Sequence, residues 1–206
     1  MTVKMMKRLF DIIFATAVLV CFSPIIFALS LLVYFDLGWP VFFYQKRAGL
    51  HGKTFSIVKF RSMRTLTNDD FQSNNDIERQ TKFGAFLRRT SLDELPGFFN
   101  VFLGHMSVVG PRPLPIEYLG LFDDKQIRRH DVRPGVTGLA QVNGRNQIEW
   151  EKKFELDVWY VENRNFIMDL KIILKTALVV LNEKGINHNA TSSMPAFTGS
   201  NKKRSK

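Results

Sequence analysis

Between Ile12 and Phe35 the chain reads IIFATAVLVCFSPIIFALSLLVYF, with no charged residue. A stretch this long and apolar is enough to span a bilayer as one helix. It reads against a secretory signal, because the apolar part is too long and no small-x-small cleavage site follows it. Two features complicate a plain span. Ser23-Pro24 lies near the middle, and proline removes a backbone donor and clashes with the preceding turn. Both flanks are also basic, with Lys4, Lys7 and Arg8 before the run and Lys46, Arg47 and Lys53 after it. The positive-inside rule favours the cytoplasmic side for both ends, yet a single span sends one of them across. A helix-break-helix hairpin that dips into one leaflet and returns does not. Each arm would be about a dozen residues, roughly 18 Å long, against a hydrocarbon core of roughly 30 Å. The residues leave the Pro-kinked span and the re-entrant hairpin both open. Asp11 stands at the N-terminal edge, within reach of an interface.

The remainder has to be built around that segment. A chain of 206 residues fits one domain plus appendages, and 45% apolar residues are enough for a core. The net charge is +10, but Lys202, Lys203, Arg204 and Lys206 supply four of those charges, leaving about +6 on the body. A basic body implies polyanionic partners: nucleic acid, anionic lipid or phosphorylated substrates. Cys21 is the single cysteine, so no intrachain disulfide can form. The 19 phenylalanines suit either a Phe-rich core or packing against something greasy.

Downstream, Val41–Tyr44 and Thr54–Phe60 are aromatic and β-branched and flank a glycine-punctuated turn at Ala48–Lys53, which predicts short strands. Gly52-Lys53-Thr54 mimics the end of a Walker A loop, but Arg47 stands where its first glycine belongs and no helix pattern follows. Residues 65–80 are polar and read as a surface loop. Thr81–Thr90 predicts a short basic helix, and a second helix runs from Ser91 to about Leu103, with Pro96 early in it. GPRPLP (Gly110–Pro115) is a stiff corner that fixes Arg112. Asp123–His130 predicts a charged helix, and RPGVTGLAQVNGR (Arg133–Arg145) a loop suited to a ligand surface. Helices over Ile148–Glu162 and Phe166–Lys184 follow, the second ending at Gly185 as a C-cap. They are amphipathic, so they face either a core or a membrane surface. The boundaries are a membrane segment at 1–36, a catalytic body at 37–185 and a solvated basic tail at 186–206. The fold class is α+β, mostly α.

The chemistry centres on SLDELPGFFN (Ser91–Asn100). Ser91 and Glu94 have the S-x-x-E spacing of a capping box, which would make Glu94 a structural residue. The neighbouring carboxylates Asp93 and Glu94 are equally a reactive pair. Lys59, Arg61, Arg88, Arg112 and Arg145 supply phosphate-binding cations around them. Two carboxylates beside phosphates suit a divalent cation such as Mg²⁺. A helix beginning at Ser91 would face anions and lower the pKa of Asp93. Adjacent helical residues point about 100° apart, so the two carboxylates cannot share one job. The histidines at 51, 105, 130 and 188 are scattered without metal-ligand spacing.

The motifs KRLFDIIFA, the SP break, KFRSM, LRRTSLDELPGFFNVFLGHMSVVGPRPLP, RHDVRPGVTGLAQVNGR and KKFELDVWYVENRNFIMDLKII cover most of residues 4–185. Through them the chain resembles the monotopic phosphoglycosyl transferases, bacterial sugar transferases that start glycoconjugate assembly at the membrane. Its length resembles the minimal members that initiate protein glycosylation or surface-polysaccharide synthesis. The resemblance implies transfer of a phosphosugar from a UDP-sugar to polyprenol (undecaprenyl) phosphate, with UMP released and Mg²⁺ as cofactor. It implies a re-entrant hairpin broken at Ser23 and Pro24, seated among inner-leaflet phospholipids on the cytoplasmic face of the bacterial inner membrane, with no nucleic-acid partner. Asp93 would be the nucleophile, forming an aspartyl-phosphosugar. Glu94 would support the metal or the geometry of the pair, so that both carboxylates are metal candidates. Lys59 and Arg88 would hold phosphates, and Pro111, Arg112 and Pro113 would face the nucleotide. Gln141, Arg145 and Asp157 carry over more weakly, and for Asp157 a helix-surface salt bridge competes. The reading from a different class is a non-catalytic, membrane-bound basic protein that binds nucleic acid or anionic lipid.

Overall fold

The apolar run folds as two helices. In the computed structural model, which describes residues 3–64, 79–144, 148–181 and 196–199, α1 (Val3–Cys21) and α2 (Ser23–Leu37) meet at Phe22 with a bend of 61°. Pro24 sits in the first turn of α2, where its missing N–H costs no internal bond. The Ser23 hydroxyl donates to the Val20 carbonyl at 2.8 Å, occupying one of the acceptors that end α1. Among the described residues no single helix is long and apolar enough to cross a membrane, but the bent pair together meets that length and composition.

Next comes an antiparallel hairpin of β1 (Phe42–Ala48) and β2 (Thr54–Phe60), with Phe42 opposite Phe60 and Ala48 opposite Thr54. The first strand is longer than its aromatic start predicts, because its far end also bridges Pro115 through Arg47. Thereafter come α3 (Lys82–Thr90), a 3₁₀ turn at Leu92–Glu94, and α4 (Gly97–Leu103). The expected continuous helix from Ser91 is therefore absent. Ser91 adopts the left-handed conformation, φ 57°, and ends α3. Pro96 has no N–H to donate, and the α-helix restarts only at Gly97.

A second sheet was not foreseen. β3 (Ser107–Val109) pairs in parallel with β4 (Gly135–Thr137). A Cβ on Gly135 would lie 2.1 Å from the Gly110 nitrogen, so only glycine allows this approach. The expected helix at Asp123–His130 is a 3₁₀ stretch, Gln126–Asp131. Then follow α5 (Leu139–Val142), α6 (Trp150–Asn163) and α7 (Phe166–Leu181). The architecture is mostly helical with small β elements, as the sequence indicates.

Buried polar bonds join α1 to this body. Asp11 is 2% exposed and accepts from Ser107 Oγ at 2.8 Å, Val108 N at 3.1 Å and Lys7 Nζ at 2.9 Å. Lys7 also reaches Asp169 at 3.0 Å, and Asp169 accepts from the Tyr160 hydroxyl at 2.7 Å. Asp11 thus faces the protein rather than an interface. Arg8 donates to the carbonyls of Val101 and Phe102, a cation at the negative end of α4. Arg61 does the same for α2, donating to the carbonyls of Leu37, Gly38 and Trp39. It therefore caps a helix and is not part of the cation cluster around the acidic pair.

The core has three parts: Val101, Met106, Val108, Tyr160 and Ile172 under α1; Leu29, Val33, Phe60 and Leu87 between α2, β2 and α3; and Phe122, Phe154 and Phe197. Phe197 lies within the segment read as a solvated tail, yet it stacks on Phe122. Exposed apolar side chains remain along α2 and α7, including Phe27, Leu32 and Phe35, and Ile167, Leu174 and Leu178. Residues 65–78, Gly185 and most of 186–206 lie outside the described residues.

Candidate active site

The acidic pair sits in the tight turn between α3 and α4, and the two carboxylates part company there. Glu94 Oε1 accepts from Lys59 Nζ at 2.6 Å and from Arg112 Nη2 at 2.8 Å. Asp93 is 8% exposed, and among the described residues no hydrogen bond reaches its carboxylate. The 3₁₀ turn turns the two side chains to different neighbours. The capping-box reading fails. Ser91 makes no side-chain cap bond, and Glu94 turns its Oε1 to Lys59 and Arg112 instead.

Three struts hold this geometry. Asn100 of α4 accepts from Val58 N at 3.0 Å and donates to Ser56 O at 2.8 Å, tying α4 to the edge of β2 beside Lys59. The Arg112 carbonyl accepts from Arg129 Nη2 at 2.7 Å, and the same guanidinium pairs with Asp157 at 2.8 Å. The Pro111 carbonyl accepts from Gly135 N at 2.9 Å. The Pro-Arg-Pro corner is thus pinned from α6 and from β4. Asp157 is 4% exposed, so it is no surface salt bridge. It acts on Arg112 through Arg129.

The cleft in front of the pair is lined by Arg47, Lys59, Glu94, Gly97, Met106, Arg112, Pro113 and Val136, among others. Gln141 stands behind it, donating to the Val136 carbonyl at 2.9 Å, with its own Oε1 buried and unbonded. Arg88, exposed at the end of α3, donates to Met63 Sδ at 3.6 Å, and its charge is felt at Asp93. Arg145 lies outside the described residues. Sequence reasoning missed Asn100, Arg129 and Arg47 as site residues. Asn100 offers no local signal, and Arg47 fell between the strand expected at Val41–Tyr44 and the turn expected at Ala48–Lys53, whereas the strand runs on to Ala48 and places it opposite Phe55.

Burial first, then the Glu94 charge, raise the Asp93 pKa from 3.8 to about 6, against the pull of Lys59, Arg88 and Arg112. The expected lowering by a helix dipole does not operate, because no α-helix begins at Ser91. Burial would also raise Glu94, but Arg112 and Lys59 hold it well below the usual carboxylate range. One carboxylate is therefore fixed and ionised, while the other is desolvated and unengaged.

Against other proteins, a family model described as bacterial sugar transferase matches residues 2–183. The chain belongs to the bacterial sugar transferase family. It is 50% identical over 195 residues to the uncharacterized sugar transferase EpsL of Bacillus subtilis (strain 168), covering 95% of this chain and 96% of that one. It is 45% identical over 181 residues to the UDP-glucose:undecaprenyl-phosphate glucose-1-phosphate transferase of Klebsiella pneumoniae, covering 82% of this chain but only 39% of that larger protein. It is also 37% identical to the exopolysaccharide production protein ExoY of Rhizobium meliloti (strain 1021), covering 88% of each. This bacterial sugar transferase is an enzyme, which sets aside the non-catalytic basic protein.

Proposed function

We propose that this sugar transferase moves a phosphosugar from a UDP-sugar to undecaprenyl phosphate through an aspartyl-phosphosugar on Asp93. The observation that carries the reading is the contrast between the pair: Glu94 clamped by Lys59 and Arg112, Asp93 buried with no hydrogen bond among the described residues. A carboxylate oxygen of Asp93 attacks the β-phosphorus. The bond from that phosphorus to the bridging oxygen breaks, and UMP leaves with the electron pair. A phosphate oxygen of the lipid then attacks the same phosphorus, and the Asp93 oxygen–phosphorus bond breaks to regenerate the carboxylate. One hard displacement becomes two easier ones. Arg112, Lys59 and Arg88 stabilise charge on the transferring phosphoryl group.

The donor set suits Mg²⁺. Two neighbouring carboxylates, one of them unpartnered, match a cation usually held by one or two carboxylates plus substrate phosphates. Asp93 and Glu94 would hold it, where it would neutralise phosphate charge. Among the described residues no third acidic, histidine or cysteine ligand joins them.

The bend at Ser23-Pro24 and the exposed apolar faces of α2 and α7 support a re-entrant, one-leaflet mounting, and the basic residues on both flanks of the apolar run favour the cytoplasmic side of the inner membrane. α7 would then lie at the interface, burying Ile172 inward and presenting Leu174 and Leu178 to lipid.

The test is UMP release without acceptor. Incubation with UDP-sugar alone should release about one UMP per enzyme and leave a phosphosugar adduct on the peptide containing Asp93. Release that waits for undecaprenyl phosphate would mean direct transfer instead.

A further inference from the structure

The proposed mechanism leaves one cation of the cleft without a task. Arg47 is half-buried on β1 and lines the cleft together with Arg112 and Pro113. Its Nη2 donates to Gln45 Oε1. Its Nε is buried and bonded to nothing, and among the described residues no carboxylate pairs with it. Lys59 and Arg112, by contrast, share Glu94. Withdrawing a charge from water is costly, and here burial and the neighbouring Arg112 weaken its hold on the proton, only partly offset by Glu117, Tyr118 and Glu94. A guanidinium in that condition is matched by a bidentate anion such as phosphate.

Strand register orders the two cations along the cleft. Lys59 lies opposite Phe43, while Arg47 lies opposite Phe55, four residues further along β1, or about 13 Å at the strand rise. The Lys59 end adjoins α2 and the exposed Trp39, the apolar side from which a lipid phosphate would come. The Arg47 end is the far one, bridged to Pro115 and next to the turn carrying Glu117 and Tyr118. On the mechanism proposed above, Asp93 and Glu94 meet the β-phosphate, so the far end receives what departs.

We propose that Arg47 binds the α-phosphate of the UDP-sugar and holds the UMP that leaves. It is a donor-side residue and takes no part in binding the lipid phosphate. When the β-phosphorus–oxygen bond breaks, the electron pair moves onto a phosphate oxygen that Arg47 contacts.

The experiment uses the full chain in detergent micelles or nanodiscs, comparing wild type with Arg47→Gln. UMP and uridine affinities are measured directly by calorimetry, and KM is measured for each substrate. UMP should bind roughly tenfold more weakly to the variant, as for one charge-assisted contact, with uridine binding unchanged. KM should rise for the UDP-sugar and stay within about twofold for undecaprenyl phosphate. Unchanged UMP affinity, or a shift confined to the lipid substrate, overturns the assignment. Should Arg47→Gln not fold, Gln45→Glu gives the same readout, since it places a competing carboxylate where Arg47 now finds an amide. UMP binding needs no turnover, so wild type that fails to release UMP from UDP-sugars would count against the reaction and not against Arg47.

Discussion

At Asp93 a carboxylate with an ordinary pKa of 3.8 ionises near 6 because it is buried beside Glu94. Nucleophilic attack requires the ionised form. kcat/KM should therefore fall as pH drops through about 6, with a slope of one, in a pH–rate profile of wild type. The same shift bears on stability. Between pH 3.8 and 6 the folded state holds a proton that the unfolded chain has lost, so stability declines as pH rises across that window. Asp93→Asn removes this cost. It should abolish turnover while stabilising the protein at neutral pH by on the order of 2 kcal/mol, read from denaturant melts. Glu94→Gln should lower kcat on the order of 10²-fold, since Lys59 and Arg112 lose the group that positions them. It should also move the acidic limb to lower pH, because the second cause of the Asp93 shift is gone. At this scale the pair and Arg112 were legible as reactive types crowded together. Their protonation was not, because it follows from burial and from a turn that replaced the expected helix.

The elements show why some of the site was hidden. The β1–β2 hairpin was readable from aromatic and β-branched runs around glycines. The β3–β4 pair was not, since three-residue strands carry no period and their contact depends on Gly110 meeting Gly135. The break after Thr90 depends on Ser91 taking a left-handed conformation, which serine rarely signals. The Arg129–Asp157 pair belongs here too, because it joins a 3₁₀ stretch to α6 and, through the Arg112 carbonyl, to the Pro-Arg-Pro corner. Asp157→Ala leaves a guanidinium buried and uncompensated, at a cost of about 3–5 kcal/mol. Thermal unfolding should show that loss, and Asp157→Asn should recover part of it. If Arg112 holds substrate through this support, Asp157→Asn should raise donor KM more than it lowers kcat.

At the scale of the molecule, the uncharged run at 12–35 announced a long apolar helical segment and Pro24 announced the break between its two helices. The residues alone could not choose between a kinked span and a hairpin, because that choice rests on where the catalytic body holds the two ends. In a Cys21→Ser background, a cysteine at position 2 and one at position 53 should both be labelled from the cytoplasmic side of sealed vesicles. Labelling of position 2 from the opposite side only would establish a span.

The Lys7–Asp11–Asp169 cluster, closed by Ser107 and Tyr160, has a mechanical consequence. It removes the hinge that a membrane anchor would otherwise have. With α1 tied to β3 through Asp11, tilt of α1 is tilt of the corner that carries Arg112. On the one-leaflet mounting proposed above, a thinner bilayer would tilt α1 and the cleft together and so change the height at which a lipid phosphate must present itself.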